Sequence, residues 1–290
     1  MKNFGLMSRV SKLPKYVFAM VNEQKMKLRR EGEDIVDLGM GNPDLPPAKH
    51  IVEKLCEVAR RDNVHGYSAS RGIPRVRKAI CDFYERRYGV YLNSETEAIL
   101  TIGAKEGYSH LMLALLEPGD TILVSNPTYP IHYYAPIIAG GDAISVPLGQ
   151  SSPEEEFLRN INDALRASFK KPKAVVLSFP HNPTTACVSL EFFKEIVKIA
   201  KREEVFLIHD FAYADLGFDG YTPPSILQVE GAKEVAVELY SMSKGFSMAG
   251  WRVAFLVGNE YLIKNLAHLK SYLDYGVFTP IQVASVIALD

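Results

Sequence analysis

Residues 174–213 read AVVLSFPHNPTTACVSLEFFKEIVKIAKREEVFLIHDFAY, and the spacing of their apolar positions changes character twice. Ala174–Phe179 is a short apolar run rich in β-branched residues, as expected of a strand buried on both faces. In Leu190–Glu203 the apolar residues Phe193, Ile196, Val197 and Ala200 recur at helical spacing. Val205–Asp210 is again a buried strand. Strand, helix and strand in this succession predict a crossover unit whose two strands run parallel.

The same alternation extends outward in both directions. Ala98–Thr101, Thr121–Ser125, Val235–Tyr240 and Val253–Val257 read as further strands. Between and around them lie helical patterns over Pro74–Tyr88, where Val76, Ile80, Phe83 and Tyr84 share a face, and over Lys105–Leu116 and Glu260–Leu273. The expected class is α/β: a three-layer sandwich with a mostly parallel central sheet, its ligands gathered beyond the carboxyl ends of the strands. No internal repeat interrupts it.

The ends of the chain read differently. A charged helical segment, Val17–Arg30, is followed by the turn-rich stretch from Gly39 to Pro47, which sets the expected boundary: residues 1–45 as an N-terminal arm with part of a small domain, and residues 46–290 as the large domain. Thr279-Pro280 reads as a helix start, and the apolar run that follows has no stop signal before Asp290. The expectation is that the rest of the small domain follows beyond residue 290.

Composition narrows the function classes. Thirty-three basic and thirty-four acidic residues leave a formal net charge of −1, and the only like-charge runs are Glu154–Glu156 and short Arg/Lys pairs, so neither a nucleic-acid nor a membrane-binding patch is expected. A hydrophobic content of 47 % suits a globular protein with a sizeable core. No stretch reaches the ~18 apolar residues of a membrane span, and the first ten residues lack an apolar run of signal-peptide length. Cys56, Cys81 and Cys187 are far apart and form no Cys-x-x-Cys pair, and the histidines show no metal-ligand spacing. These features fit a reduced, cytoplasmic setting without a structural metal.

The polar clusters fall just after the strands. Gly103-Ala104-Lys105 opens a helix, where free backbone N–H groups favour a phosphate, although helix packing would also account for its small residues. Asn126–Pro130 sets Tyr129 on a rigid turn from which its ring can stack on a flat heterocycle; an ordinary proline turn with a half-buried tyrosine is the plainer alternative. Asn182, held extended by Pro183, presents an amide to a phenolic oxygen. Asp210 ends a buried strand and needs a cationic partner to stay charged, which a protonated pyridine nitrogen would supply; Tyr213 follows three residues later. His209 reads as a structural neighbour of this cluster.

The last cluster is Ser241-Met-Ser-Lys-Gly-Phe-Ser-Met-Ala-Gly-Trp-Arg252. A lysine that forms a Schiff base needs its pKa lowered by burial or by a nearby cation, for which Arg252 is a candidate, while Ser241 and Ser243 carry hydroxyls suited to phosphate oxygens. A lone Ser-x-Ser-Lys is ordinarily a surface loop. Here it completes, in chain order, a set of partners for each part of pyridoxal 5′-phosphate.

With these residues in view the chain resembles the class I, fold-type I pyridoxal-phosphate aminotransferases over nearly all of its length. The resemblance rests on Met40-Gly-Asn-Pro-Asp44, His65-Gly-Tyr-Ser68, Gly103-Ala-Lys105, Pro127-Thr-Tyr-Pro130, Asn182-Pro183, Asp210-Phe-Ala-Tyr213, Ser241-Met-Ser-Lys244 and Arg252. Leu13-Pro-Lys-Tyr-Val-Phe18, Thr101–Gly107, Pro130-Ile-His132 and Lys270–Gly276 look most like the bacterial glutamate–pyruvate (alanine) transaminase branch.

The resemblance implies roles for individual residues. Lys244 would form the Schiff base and shuttle the proton, Asp210 would keep the ring nitrogen protonated, Asn182 and Tyr213 would bond the phenolic oxygen, and Tyr129 would stack on the ring. Gly103, Ala104, Lys105, Ser241, Ser243 and Arg252 would surround the phosphate, and Tyr67 would reach it from the neighbouring subunit of a homodimer. Gly41, with Tyr129 and Asn182, would contact substrate. The implied reaction is a ping-pong transfer of an amino group between glutamate or alanine and pyruvate or 2-oxoglutarate.

Two departures bear on substrate. The arginine that grips the α-carboxylate in this family falls beyond residue 290. The position where animal-type aspartate transaminases hold the distal carboxylate falls near Phe278, with no arginine between Leu269 and Asp290; Lys105 could receive that carboxylate instead. Aspartate or diaminopimelate transamination and β-elimination on the same scaffold stay open. So does a non-catalytic, aminotransferase-like ligand-binding module, although only about 45 residues precede the main domain and they carry no helix-turn-helix pattern.

Overall fold

A computed structural model of the chain describes residues 7–39, 41–149 and 153–290. Of the stretches quoted above, Met40 and the first six residues lie outside the described set. Seven strands, β1 (Ala98–Thr101), β2 (Thr121–Asn126), β3 (Asp142–Pro147), β4 (Ala174–Ser178), β5 (Phe206–Asp210), β6 (Ala236–Ser241) and β7 (Ala254–Gly258), form one sheet in the order β1-β7-β6-β5-β4-β2-β3. The pairings β3–β2, β2–β4, β4–β5 and β5–β6 are parallel. Only β7, lying between β6 and β1, runs antiparallel to its neighbours.

That reversal decides what reaches the carboxyl edge of the sheet. Thr101, at the end of β1, pairs with Ala254, at the start of β7, and Ser241, at the end of β6, pairs with the same residue. Arg252, just ahead of β7, therefore emerges beside Gly103 and Lys244. On β4 and β5, Ser178 pairs with Asp210, which brings the Asn182 loop alongside the carboxylate.

The helices are, in chain order, α1 (Ser8–Ser11), α2 (Val17–Arg30), α3 (Lys49–Ala59), α4 (Pro74–Tyr88), α5 (Ala104–Leu115), α6 (Pro130–Ala139), α7 (Pro153–Ala167), α8 (Leu190–Glu203), α9 (Met242–Gly245), α10 (Glu260–Leu273) and α11 (Thr279–Leu289). Residues of α3, α4, α7, α8 and α11 share one apolar core with the sheet. Residues of α5, α6 and α10 share the other. The result is three layers, with β4 to β7 and β1 buried throughout except for the half-buried Phe206. Local signals agree with these elements: Pro74 lies in the first turn of α4, Gly89 closes it at φ +66°, and the Ser189 hydroxyl accepts the Phe192 N–H at 3.2 Å to cap α8. In contrast, α2 buries none of its residues.

One charge lies deep in the packing. Glu238 on β6 is fully buried and accepts from Tyr84 Oη (2.8 Å), Ser225 Oγ (2.7 Å) and the Ile226 N–H (3.0 Å), and lies 2.8 Å from His209 Nδ1. The other ring nitrogen of His209 meets the backbone of Phe179, at the end of β4. His209 thus joins adjacent strands on the face away from Asp210, in the structural role expected of it.

Six elements have no counterpart in the sequence reading: β3, the short turns α1 and α9, and the helices α3, α6 and α7. β3 is an edge strand that begins at Asp142, ends at Pro147 and fully buries only Val146, so it lacks the apolar run that marks its neighbours. α6 starts where a proline turn was expected; Pro130 occupies its first turn and Pro136 lies within it.

Candidate active site

A cavity of about 360 Å³ opens at the carboxyl edge of the sheet. At one end stands the β1–α5 turn. Gly103 has φ +81°, open to glycine at little cost, and a Cβ there would collide with the guanidinium of Arg252. Arg252 itself holds the left-handed region at φ 56° and donates to the Ala249 carbonyl at 2.8 Å. Its remaining N–H groups face the amino end of α5, whose leading N–H groups lack helical acceptors. Ser241 and Ser243 line the same end; the Ser241 hydroxyl accepts the Ser243 N–H at 3.2 Å and so caps the short turn α9 that carries Lys244.

Lys244 is half-buried, and its ammonium donates to the Gly41 carbonyl. Burial pushes its pKa below the ordinary lysine value. Arg252, the candidate for that effect in the sequence reading, takes no part in it: the guanidinium is turned toward Gly103 and Ala249.

Asp210 borders the cavity from the end of β5. Its Oδ2 lies 2.8 Å from His132 Nε2, and its Oδ1 accepts the Ala212 N–H at 3.2 Å. His132 is held in turn by Thr128 Oγ1, 3.3 Å from Nδ1, and its backbone carbonyl accepts from Tyr108 Oη at 2.9 Å. Asn182 Nδ2 donates to Tyr213 Oη at 3.2 Å. Burial and the Asp210 charge raise the Tyr213 pKa above that of a free phenol, partly offset by the Asn182 bond. Tyr129 and Lys105 complete the lining, the Lys105 ammonium 5.8 Å from the centre of the Tyr129 ring.

Eleven of the residues singled out in the sequence thus share one cavity: Gly41, Ala104, Lys105, Tyr129, Asn182, Asp210, Tyr213, Ser241, Ser243, Lys244 and Arg252. Gly103 adjoins it against Arg252. Tyr67 does not reach it; it is exposed and stacks on Tyr275 with ring centres 4.2 Å apart. Sequence reasoning assigned no role to His132 or to Tyr16, which also lines the cavity.

A second polar cluster lies behind the phosphate-type turn. Glu106, His110 and Asp274 approach closely enough to share a cation, which the spacing of histidines along the chain did not indicate. The buried Lys270 ammonium already lies among the same oxygens, 2.7 Å from Glu106 Oε1 and 3.0 Å from Asp274. Glu106 Oε2 accepts the Ile102 N–H at 2.7 Å, so this cluster braces the β1–α5 turn.

Pyridoxal phosphate presents a phosphate dianion, a phenolic oxygen, a ring nitrogen and an aldehyde. Arg252 has no carboxylate partner among the described residues, and it meets a helix amino end and two serines where an anion would be held. A carboxylate, an amide–phenol pair and a half-buried lysine line the rest of the same cavity, so the donor set fits the group part for part.

The chain is 54 % identical over 283 residues to the glutamate-pyruvate aminotransferase AlaC of Escherichia coli K12, covering 98 % of this chain and 68 % of that protein. It is 40 % identical to LL-diaminopimelate aminotransferase 2 of Nostoc sp. PCC 7120, covering 97 % and 71 %. The substrate-bound BacF structure from Bacillus subtilis superimposes with a TM-score of 0.91 at 39 % identity, over 99 % of this chain and 72 % of that one. Residues 33–290 match the family described as aminotransferase class I and II, and the chain belongs to it: it is a pyridoxal-phosphate-dependent aminotransferase.

Proposed function

We propose that this aminotransferase exchanges an amino group between glutamate and pyruvate, in two half-reactions at the one cavity. The observation that carries the reading of the residues is the convergence of Lys244, Asp210, Asn182, Tyr213 and Arg252 on that cavity. The choice of substrate is supported by the 54 % identity to a glutamate-pyruvate aminotransferase and by the Lys105 ammonium, which no carboxylate of the described residues pairs.

The α5 amino end at Gly103, Ala104 and Lys105, the hydroxyls of Ser241 and Ser243, and the Arg252 guanidinium hold the phosphate. Asn182 and Tyr213 would hold the phenolic oxygen, and Tyr129 would stack on the ring. Bound pyridoxal phosphate supplies an electron sink for the charge left on the substrate α-carbon. Asp210, with one oxygen fixed by His132, stabilises a protonated ring nitrogen through its charge. Lys244 Nζ, its amine form favoured by burial, takes the proton from the α-carbon. Lys244 Nζ donates to the Gly41 carbonyl, and the Gly41 backbone would lie against the substrate carboxylate.

In this reading residues 1–45 form an arm and part of a small domain, and residues 46–290 the cofactor-binding unit. The protein is a homodimer in which exposed Tyr67 reaches the phosphate of the neighbouring site, and it works in the cytoplasm. No helix among the described residues is long and apolar enough to cross a membrane.

The test is a pair of half-reactions on the holoenzyme. Glutamate should bleach the visible band of the bound cofactor and pyruvate should restore it. Ammonia release without reversal, or reversal by the oxo acid of diaminopimelate but not by pyruvate, would reject the assignment.

A further inference from the structure

The turn at the amino end of α5 is built around a carboxylate. Glu106 is the third residue of that helix, a position from which a glutamate ordinarily reaches back to the N–H of the residue that opens the helix. That residue is Gly103, yet Glu106 Oε2 accepts the N–H of Ile102 instead, one position earlier, at 2.7 Å. The Gly103 N–H is left without an acceptor among the described residues and joins the first N–H groups of α5 as a donor for an anion.

This geometry has an electrostatic cost. A phosphate and the Glu106 carboxylate are both drawn to the positive end of one helix, and there each repels the other. The compensating charge comes from another element. Lys270, fully buried in the last turn of α10, places its ammonium 2.7 Å from Glu106 Oε1 and 3.0 Å from both oxygens of Asp274. His110 Nδ1 lies 2.6 Å from the same Glu106 oxygen and 3.3 Å from Asp274 Oδ2. Burial alone would raise the Glu106 pKa; the His110 and Lys270 contacts outweigh it and hold the carboxyl below the ordinary glutamate value. Neither Glu106 nor Lys270 lines the cavity, so the pair acts from behind the turn.

We propose that Lys270 is a positioning residue for the cofactor phosphate: acting through Glu106, its buried ammonium offsets the carboxylate that shapes the β1–α5 turn, so the turn keeps its form without repelling the anion it receives. This rests on the placement of the phosphate at Gly103, Ala104 and Lys105 given above. The two parts Glu106 plays, acceptor for Ile102 and negative charge, separate on substitution. Glutamine keeps an oxygen for the Ile102 N–H and removes the charge. Loss of the Lys270 ammonium leaves the charge in place and unopposed.

The test titrates cofactor-free protein with pyridoxal phosphate and with pyridoxal, which lacks the phosphate, and takes the ratio of the two affinities. Lys270→Met should lower the ratio by about tenfold, the scale of a lost contact to a charged group. Glu106→Gln, in which Lys270 keeps Asp274, should hold or raise it. The combined variant should return the ratio to near the wild-type value, a rescue that a merely structural role would not produce. An unchanged ratio in Lys270→Met, an equal loss for both compounds, or a combined variant as weak as Lys270→Met overturns the proposal. So does a lowered ratio in Glu106→Gln, which decides the matter even where Lys270→Met does not fold. Arg252→Ala should lower the ratio whatever the part of Lys270; an unchanged ratio there would reject the placement of the phosphate itself.

Discussion

His132 Nε2 lies 2.8 Å from Asp210 Oδ2, and both side chains are buried. The imidazole fixes the carboxylate from behind while leaving it open to the cavity. His132→Phe should keep the fold and lower kcat by about 10- to 100-fold, as expected for a lost hydrogen bond to a charged group. Asp210→Asn should cost more, on the order of 10²–10³ in kcat. Steady-state kinetics of the two variants at saturating cofactor check the order; a His132→Phe enzyme slower than Asp210→Asn would contradict it.

Lys244→Ala should lower transamination by about 10⁴-fold or more, with the protein still folded. In wild-type protein, borohydride should fix the cofactor covalently to the peptide that contains Lys244, and mass spectrometry should find no such adduct in the variant. Because burial lowers the Lys244 pKa, its neutral amine accumulates as pH rises through a value below 10.5. Capture of cofactor by apoenzyme should therefore speed up with pH earlier than for a free lysine.

Gly103→Ala places a methyl group against the Arg252 guanidinium and at a φ of +81°. The apoenzyme should lose about 1–2 kcal/mol for the backbone strain. Cofactor affinity should fall by roughly tenfold or more, as expected when a charge-assisted contact to an anion is displaced. Titration of apoenzyme with pyridoxal phosphate measures this, and wild-type affinity would show that Arg252 is not held by the turn.

His181 packs with Nε2 3.0 Å from Ser125 Oγ and Nδ1 2.8 Å from Thr184 Oγ1, beside the Phe179 ring and facing the Pro127 carbonyl and His132. Burial, joined by the nearby His132, pushes its pKa down to about 4. Between about pH 4 and 6.5 the unfolded chain binds a proton that the folded chain refuses. Stability should therefore be complete above pH 6.5 and decline as pH falls toward 4, by up to about 3 kcal/mol from this group. Denaturant titrations between those limits should show a shallower pH slope in His181→Asn; an identical slope would assign the decline to other groups.

The strands that hold the site were legible because each is a compact apolar run, and the polar clusters were legible because each lies within a few residues of a strand end. What escaped depends on contacts between distant segments. The edge strand Asp142–Pro147 has too little burial to leave an apolar signature. His132 meets Asp210 across 78 positions, and Lys270 meets Glu106 across 164, separations that no local periodicity encodes. The contacts of Arg252 with Gly103 and the Ala249 carbonyl, made from a left-handed backbone, are likewise announced by nothing in the order of residues. Tyr67, read as reaching the phosphate of a neighbouring subunit, is exposed and lies against Tyr275, outside the cavity of its own chain.

The insertion of antiparallel β7 between β1 and β6 has a consequence for the order of assembly. The two sides of the phosphate cup, Gly103 and Arg252, are synthesised 149 positions apart and become neighbours only when β7 enters the sheet. A nascent chain that has made every earlier strand owns the turn without the guanidinium. The complete cup exists only in chains whose β7 is in the sheet, and cofactor bound there at a hundred times its Kd would stabilise that state by about 2.7 kcal/mol.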